Sequence, residues 1–338
     1  MLKSFLDKYD TIIFDMDGVM TSEQAYWDSA ALTVWEYLHW NKKQRIDTSH
    51  CMENVKEIRN KIFCNDELIT TLKGKGVNSN WDLGYITMCI AWIVGADVDD
   101  FSPVLEYANN MSNNILEEYD KIAKECAKKT GFDYDWLKRN NLMWNTMQRI
   151  FQEWYLGDEI YIKQYGVPPV YSGKTGLIFG EKSLIPIETL RGILTELSKT
   201  KRICYATGRL SLEIEGPLNN WDCLKYFSED GRITYDDVMN AEKEFNVTLT
   251  KPHPFVFLKA MLGESISVSD IIAGNYSKEK IGTTLIVGDA GADILAAKAI
   301  NADFCATLTG VSGKKARGYF EEMSSEYIVD SLANFLED

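Results

Sequence analysis

Three short stretches of the chain are continuously apolar rather than alternating: Thr11-Ile12-Ile13-Phe14, Arg202-Ile203-Cys204-Tyr205-Ala206 and Thr284-Leu285-Ile286-Val287. Runs of this length, bounded by polar or glycine-rich turns, fit strands buried on both faces of a parallel sheet. Helical spacing flanks them. Ile187, Leu190, Ile193, Leu194 and Leu197 share a helical face before the second run, and Ile294, Leu295, Ala297 and Lys298 open a helix after the third. Strand, turn and helix in alternation predict an α/β fold with a doubly wound, mostly parallel sheet.

The middle of the chain reads differently. Between about residues 21 and 183 strand signals are almost absent and long helical patterns replace them. One pattern runs Phe101, Leu105, Ala108, Met111, Ile115, Tyr119, Ile122, Cys126; another runs Met143, Met147, Ile150, Phe151, Trp154. Eight of the nine Trp lie in this half of the sequence (27, 35, 40, 81, 92, 136, 144, 154), where they are expected to build a core. The segmentation expected is an α/β unit from 1–20 and 184–338, interrupted by an all-helical domain over 21–183. The chain re-enters near Gly180–Pro186, a short Gly/Pro-bounded segment.

Composition narrows the function classes. At 338 residues the chain is long enough for about two domains. Its 36 Lys+Arg against 50 Asp+Glu give a net charge of -14, which repels phosphate backbones, so nucleic acid is not expected as a main partner. The longest uncharged apolar-rich stretch, Leu83–Ala96, is bracketed by Asp82 and Asp97 and is short for a membrane span, so it reads as a buried helix. The first ten residues lack the apolar run of a signal peptide. Seven scattered Cys, none in a C-x-x-C pair, read as reduced thiols, and the three His have no metal-ligand spacing. These features together lead us to expect a cytoplasmic protein without a membrane partner, and they leave the oligomeric state open.

Candidate chemistry collects where parallel strands end, which is where open α/β sheets bind ligands. After the first run comes Asp15-Met16-Asp17-Gly18, with two carboxylates at i and i+2 able to face one site. One can attack phosphorus while the other moves a proton. After the second comes Thr207-Gly208-Arg209, a hydroxyl and free backbone N–H groups near a helix start, suited to phosphoryl oxygens or to simple helix capping. After the third comes Gly288-Asp289-Ala290-Gly291-Ala292-Asp293, whose hard carboxylates suit Mg²⁺. Lys251-Pro252-His253-Pro254 forms an extended loop in which Lys251 can set a positive charge beside the acids and His253 reads as loop structure. Gly173-Lys174-Thr175 imitates the end of a phosphate-binding loop. It has Pro168 where a glycine is required, and reads as a turn.

Taken in order, the aspartate pair, Thr-Gly, Lys and Gly-Asp-x-x-x-Asp resemble the four motifs of the haloacid dehalogenase superfamily. The resemblance covers the α/β part, and the insertion between the first two motifs looks like that superfamily's helical cap. Ala296-Ala297-Lys298-Ala299-Ile300 and Thr309-Gly310 look like its phosphoglycolate-phosphatase-like branch, although the insertion is longer than that branch usually carries. The resemblance implies Asp15 as nucleophile, Asp17 as general acid and base, and Thr207, Gly208 and Lys251 as the phosphate-binding set. It further implies Mg²⁺ held by Asp15, the Asp17 carbonyl and Asp289, with Asp293 binding the metal's waters or orienting Lys251. The activity implied is hydrolysis of a small phosphorylated metabolite through an aspartyl phosphate. A phosphomutase and a catalytically silent binding protein are the alternatives. Haloacid dehalogenases proper lack the second carboxylate that this chain has at Asp17.

Overall fold

The computed structural model describes residues 2–77, 79–112 and 114–336, with the side chain of Asn41 left aside. The expected segments 1–20 and 184–338 therefore include Met1, Glu337 and Asp338, which lie outside the described residues. Two compact units emerge, Met1–Ser22 with Glu181–Asp338, and Glu23–Gly180.

The first unit is built on six strands, all paired in parallel, in the order β3-β2-β1-β4-β5-β6. They are β1 (Thr11–Phe14), β2 (Arg202–Ala206), β3 (Arg232–Ile233), β4 (Thr284–Gly288), β5 (Asp303–Thr307) and β6 (Tyr327–Val329). The apolar runs are continuous because each face has its own core. Ile12, Phe14, Ile203, Tyr205, Leu285 and Val287 pack with Leu190, Ile193, Leu194 and Leu197 of the preceding helix. Ile13, Cys204, Ala206, Ile286 and Phe304 pack on the opposite face with Phe255–Leu262 and the helix around Ile294. Strand order reverses between β1 and β4, so the carboxyl ends of these two neighbours form the switch point of the sheet. The strands at either edge escaped the sequence reading because β3 has two residues and β6 three, too few to carry a pattern.

Each chain crossing lies two or three residues inside the expected boundary. Ser22 N–H donates to the Lys182 carbonyl (2.9 Å), Leu184 N–H donates to Met20 (3.0 Å), and Thr21 bridges Ser183. These bonds tie both connecting segments into the α/β unit.

The inserted unit has no named strand among its described residues. Asn80–Val94 is buried almost all round, against helices Gln24–Asn41, Ile115–Thr130 and Leu142–Tyr165. The long pattern from Phe101 to Cys126 is two helices, Ser102–Asn109 and Ile115–Thr130. The Asn- and Ser-rich link between them turns backbone bonds onto side chains: Asn110 Nδ2 donates to Glu106 O (2.9 Å), and Ser112 N–H donates to Glu118 Oε1 (3.3 Å). Of the eight Trp only Trp154 is fully buried; six are half-buried and Trp40 is exposed, so they line helix contacts more than they fill a centre. Among the described residues no helix is long and apolar enough to cross a membrane.

Lys174 is not in a turn. Its side chain is fully buried, with Nζ 2.6 Å from Glu153 Oε2 and 2.9 Å from Glu36 Oε2, and 4.8 Å above the Trp154 ring. Glycine makes this approach possible. The helical run Leu142–Tyr165 breaks at Gly157 (φ 77°), and a Cβ there would lie 2.7 Å from Gly176 N. Asp158 N–H then donates to the Lys174 carbonyl (2.9 Å). Arg149 balances the second acid at 3.0 Å from Glu153 Oε1.

Removing one partner of a buried ion cluster leaves uncompensated charge. Lys174→Met is therefore expected to destabilise the inserted unit by about 3–5 kcal/mol. Glu36→Met/Lys174→Met, which leaves Glu153 with Arg149, is expected to cost less than the single change. Urea unfolding followed by Trp fluorescence checks this; a single-variant loss below about 1 kcal/mol would refute it.

Candidate active site

The site is assembled at the carboxyl ends of β1, β2 and β4. Asp15 follows β1 directly, and its N–H donates to Val287 O (2.8 Å), so the ladder to β4 extends one residue beyond the strand. Its side chain is buried. The next turn closes on itself: Thr21 N–H and Oγ1 both donate to Met16 O at 2.9 Å, and Gly18 N–H donates to Thr21 O at 2.9 Å. Gly18 takes φ 71°, which favours glycine.

Lys251 reaches this point from the loop before helix Phe255–Leu262. Leu249 and Thr250 N–H groups on Glu242 Oε1 (2.6 and 3.1 Å) anchor the loop. Lys251 Nζ lies 2.8 Å from Asp15 Oδ1, 2.9 Å from Asp293 Oδ1 and 2.9 Å from the Ala206 carbonyl, joining the ends of three segments. Burial opposes its charge, but Asp15 and Asp293 hold the ammonium well above the ordinary lysine range. For Asp15 burial is the larger influence. It pushes the carboxyl up to about 7 against the pull of Lys251, and neighbouring Asp293 adds to the rise.

Asp289 completes the group. Its carboxylate fills the space between Gly18 and Gly310, where a Cβ on either glycine would overlap Asp289 Oδ2. Thr309 Oγ1 donates to Gly18 O (2.6 Å) and keeps these loops together. Gly288 gives Asp293 similar room, since a Cβ there would lie 2.7 Å from Asp293 Cβ. Asp15, Asp289 and Asp293 can each offer an oxygen within 4.8 Å of the others. Three carboxylates against one ammonium leave two negative charges, and hard oxygen donors in this arrangement fit a divalent cation.

Asp17 is placed differently. Its carboxylate is outside the three-acid group and is held by Arg209, with Nε at 2.9 Å and Nη2 at 2.5 Å from Asp17 Oδ1. Thr21 Oγ1, whose proton is shared with the Met16 carbonyl, lies 3.1 Å from the same oxygen. A side-chain ligand role for Asp17 has no support from this geometry, which leaves its carbonyl as the atom to consider. Thr207 is buried at the end of β2, where its N–H donates to Ile233 O (3.0 Å) and its Oγ1 accepts from Arg209 N–H (3.1 Å). Gly208 beside it is exposed. Among the described hydrogen bonds none joins Thr207 or Gly208 to the acidic cluster. His253 is loop structure: its Nδ1 accepts the Phe255 N–H (3.2 Å), and burial holds the ring below its ordinary pKa.

Arg209 is the residue that sequence reasoning passed over, reading it only as the end of a Thr-Gly turn. Its side chain is almost wholly buried, and a buried guanidinium must find carboxylates. Neither its burial nor the identity of its partners, 192 and 28 residues distant, could be read along the chain.

A family model described as "HAD-hyrolase-like" matches residues 248–335, about a quarter of the chain, including Lys251, Asp289 and Asp293. Among curated protein sequences none matches at a significant level. An X-ray structure of a Northeast Structural Genomics Consortium target is 28% identical over 96% of both chains, with TM-score 0.79. Phosphatase Tt82 from Thermococcus thioreducens is 17% identical over 87% of this chain and 90% of its own, with TM-score 0.49. A haloacid dehalogenase-like family hydrolase from Streptococcus pneumoniae is 12% identical over 96% and 95%, with TM-score 0.44. The six-stranded parallel fold is haloacid dehalogenase-like, and residues 248–335 carry the match to the hydrolase family model.

Proposed function

We propose that the protein is a Mg²⁺-dependent phosphatase that hydrolyses a small phosphorylated metabolite through a phosphoryl group carried on Asp15. The observation that carries this reading is the buried Lys251 ammonium, shared by Asp15 and Asp293 beside the Asp289 carboxylate.

In the first step an Asp15 oxygen bonds to phosphorus and the bond from phosphorus to the ester oxygen breaks. Asp17 delivers a proton to the departing oxygen, which leaves as the alcohol. In the second step Asp17 takes a proton from water, the water oxygen bonds to phosphorus, and the bond to Asp15 breaks to release inorganic phosphate. Lys251 neutralises charge where the carboxylate meets the phosphoryl oxygens, which would otherwise repel it. Thr207 and the Gly208 N–H are assigned to the transferring oxygens. Bound Mg²⁺, held by Asp15, Asp289 and the Asp17 carbonyl, would supply further neutralisation of the phosphoryl charge. Asp293 orients Lys251.

The inserted unit is assigned as a cap that selects the substrate. It leaves the α/β chain at Ser22, five residues after Asp17, and returns at Glu181, so one of its connections starts within a short turn of the acid–base residue.

Release of phosphate from p-nitrophenyl phosphate and a panel of phosphorylated metabolites tests the activity. Wild type is expected to release it with Mg²⁺ and not with EDTA, and Asp15→Asn is expected to lose at least about a thousandfold. Phosphate that moves between positions of a sugar without release would instead indicate a mutase.

Calorimetric titration tests the cation site without turnover. Gly310→Ala pushes into Asp289 and is expected to weaken Mg²⁺ binding about tenfold or more, roughly 1.4 kcal/mol, with the fold retained. Unchanged affinity would remove Asp289 from the site.

The pH dependence of binding has a definite sign. Asp15 in the metal-free protein gives up its proton near pH 7, so a cation must displace that proton at lower pH. Affinity is therefore expected to rise with pH up to about 7 and level off above it. A flat profile would contradict the burial of Asp15.

A further inference from the structure

We propose that Arg209 is a positioning residue that acts through Asp17, tying the acid–base carboxyl to both points where the inserted unit joins the α/β chain. This rests on the role assigned to Asp17 above. The geometry is specific. The guanidinium, 1% exposed, places Nε and Nη2 on Asp17 Oδ1 at 2.9 and 2.5 Å. Its Nη1 lies 3.0 Å from Oε1 of Glu181, the first residue after the insertion. Nη2 also donates to the carbonyl of Ser22, the last residue before it, at 3.5 Å. Nη1 donates further to the Glu213 carbonyl (3.4 Å), and the Arg209 carbonyl accepts the Tyr235 N–H (2.8 Å), so the base of the fork is fixed in the α/β unit.

Two consequences follow from this arrangement. Asp17 Oδ1 accepts from Arg209 twice, so the fork fixes the plane of the carboxyl and the direction in which Oδ2 points. The second consequence is mechanical. Glu181 and Ser22 lie on the two connecting segments, paired through Ser22 N–H on Lys182 O and Leu184 N–H on Met20 O. A change in the path of either segment acts on the same rigid, planar fork that holds the carboxyl. Lysine offers a point charge and cannot hold all three partners in fixed directions.

The leaving group separates this role from a merely structural ion pair. An alkyl phosphate needs a proton on its departing oxygen, whereas 2,4-dinitrophenolate leaves without one. Arg209→Met is expected to lower kcat/KM, which reports only the first step, about a hundredfold on glycerol 2-phosphate and less than about threefold on 2,4-dinitrophenyl phosphate. On an Asp17→Asn background the same change is expected to add less than about threefold, because the two groups act as one unit. Arg209→Lys, which keeps the charge and loses the fork, is expected to show the same leaving-group pattern at smaller amplitude, and serves if the Met variant does not fold.

Equal losses on both esters, or losses that multiply in the double variant, would overturn the proposal. Amide hydrogen exchange at Ser22 and Leu184 gives a readout independent of turnover. It is expected to quicken at least about tenfold in Arg209→Met, and unchanged protection would also overturn the proposal. If wild type is inert towards every ester, the phosphatase reading fails by itself, while hydrogen exchange still decides whether Arg209 holds the crossings.

Discussion

A lysine ammonium taken out of water and lodged between two carboxylates is the contact that holds together the carboxyl ends of the α/β unit's central strands. Desolvation penalises all three groups, and only close, well-directed pairing offsets it. Lys251 gains that pairing from Asp15 after β1 and Asp293 in the helix after β4, and it adds the backbone carbonyl at the end of β2. The sheet order is what allows this. β1 lies between β2 and β4, so a single side chain can reach all three carboxyl ends at once. Charge balance then favours a ligand: with the half-buried Asp289 included, the cluster retains two negative charges in formal count.

The inserted unit contains a second lysine between two acids, and the comparison separates structure from chemistry. Lys174 is fully buried with Glu36 and Glu153, and Arg149 supplies the remaining positive charge. That cluster is neutral in formal charge, and its backbone neighbours are packed through Gly157 and Gly176 until no space remains. The glycines around Lys251 act in the opposite sense. Gly18 and Gly310 make room for a carboxylate that faces its fellow acids. One arrangement closes a core, and the other holds charge where a cation can take part.

The Asp17–Arg209 contact belongs to neither cluster. Asp17 is two residues from Asp15, yet its carboxylate is drawn away from the three-acid group by a guanidinium that also contacts Glu181 and Ser22. Two carboxylates that the sequence sets side by side are thus separated electrostatically, one beside an ammonium and its fellow acids, the other in the grip of an arginine.

The local pattern alone determined a good deal. Continuous apolar runs meant strands with a core on each face, as the opposite packing of Ile12 and Ile13 bears out. The sequence also marked the turns where acids and Lys251 stand, because turn residues after buried strands have a short list of reasons to be charged. Interruption by a helical unit was legible from the loss of strand signal and the gathering of Trp. What the sequence could not supply was partnership across distance. Nothing local pairs Arg209 with Asp17, sets Lys174 between Glu36 and Glu153, or shows that Gly310 exists to admit Asp289. Short strands such as β3 and β6 were lost for a related reason: they are strands only because a neighbour is present to bond them. Propensity and period act over a few residues and can be read along a chain. Desolvation, ion pairing and steric room are settled by whichever groups the fold brings within a few ångströms, and tertiary structure alone decides those.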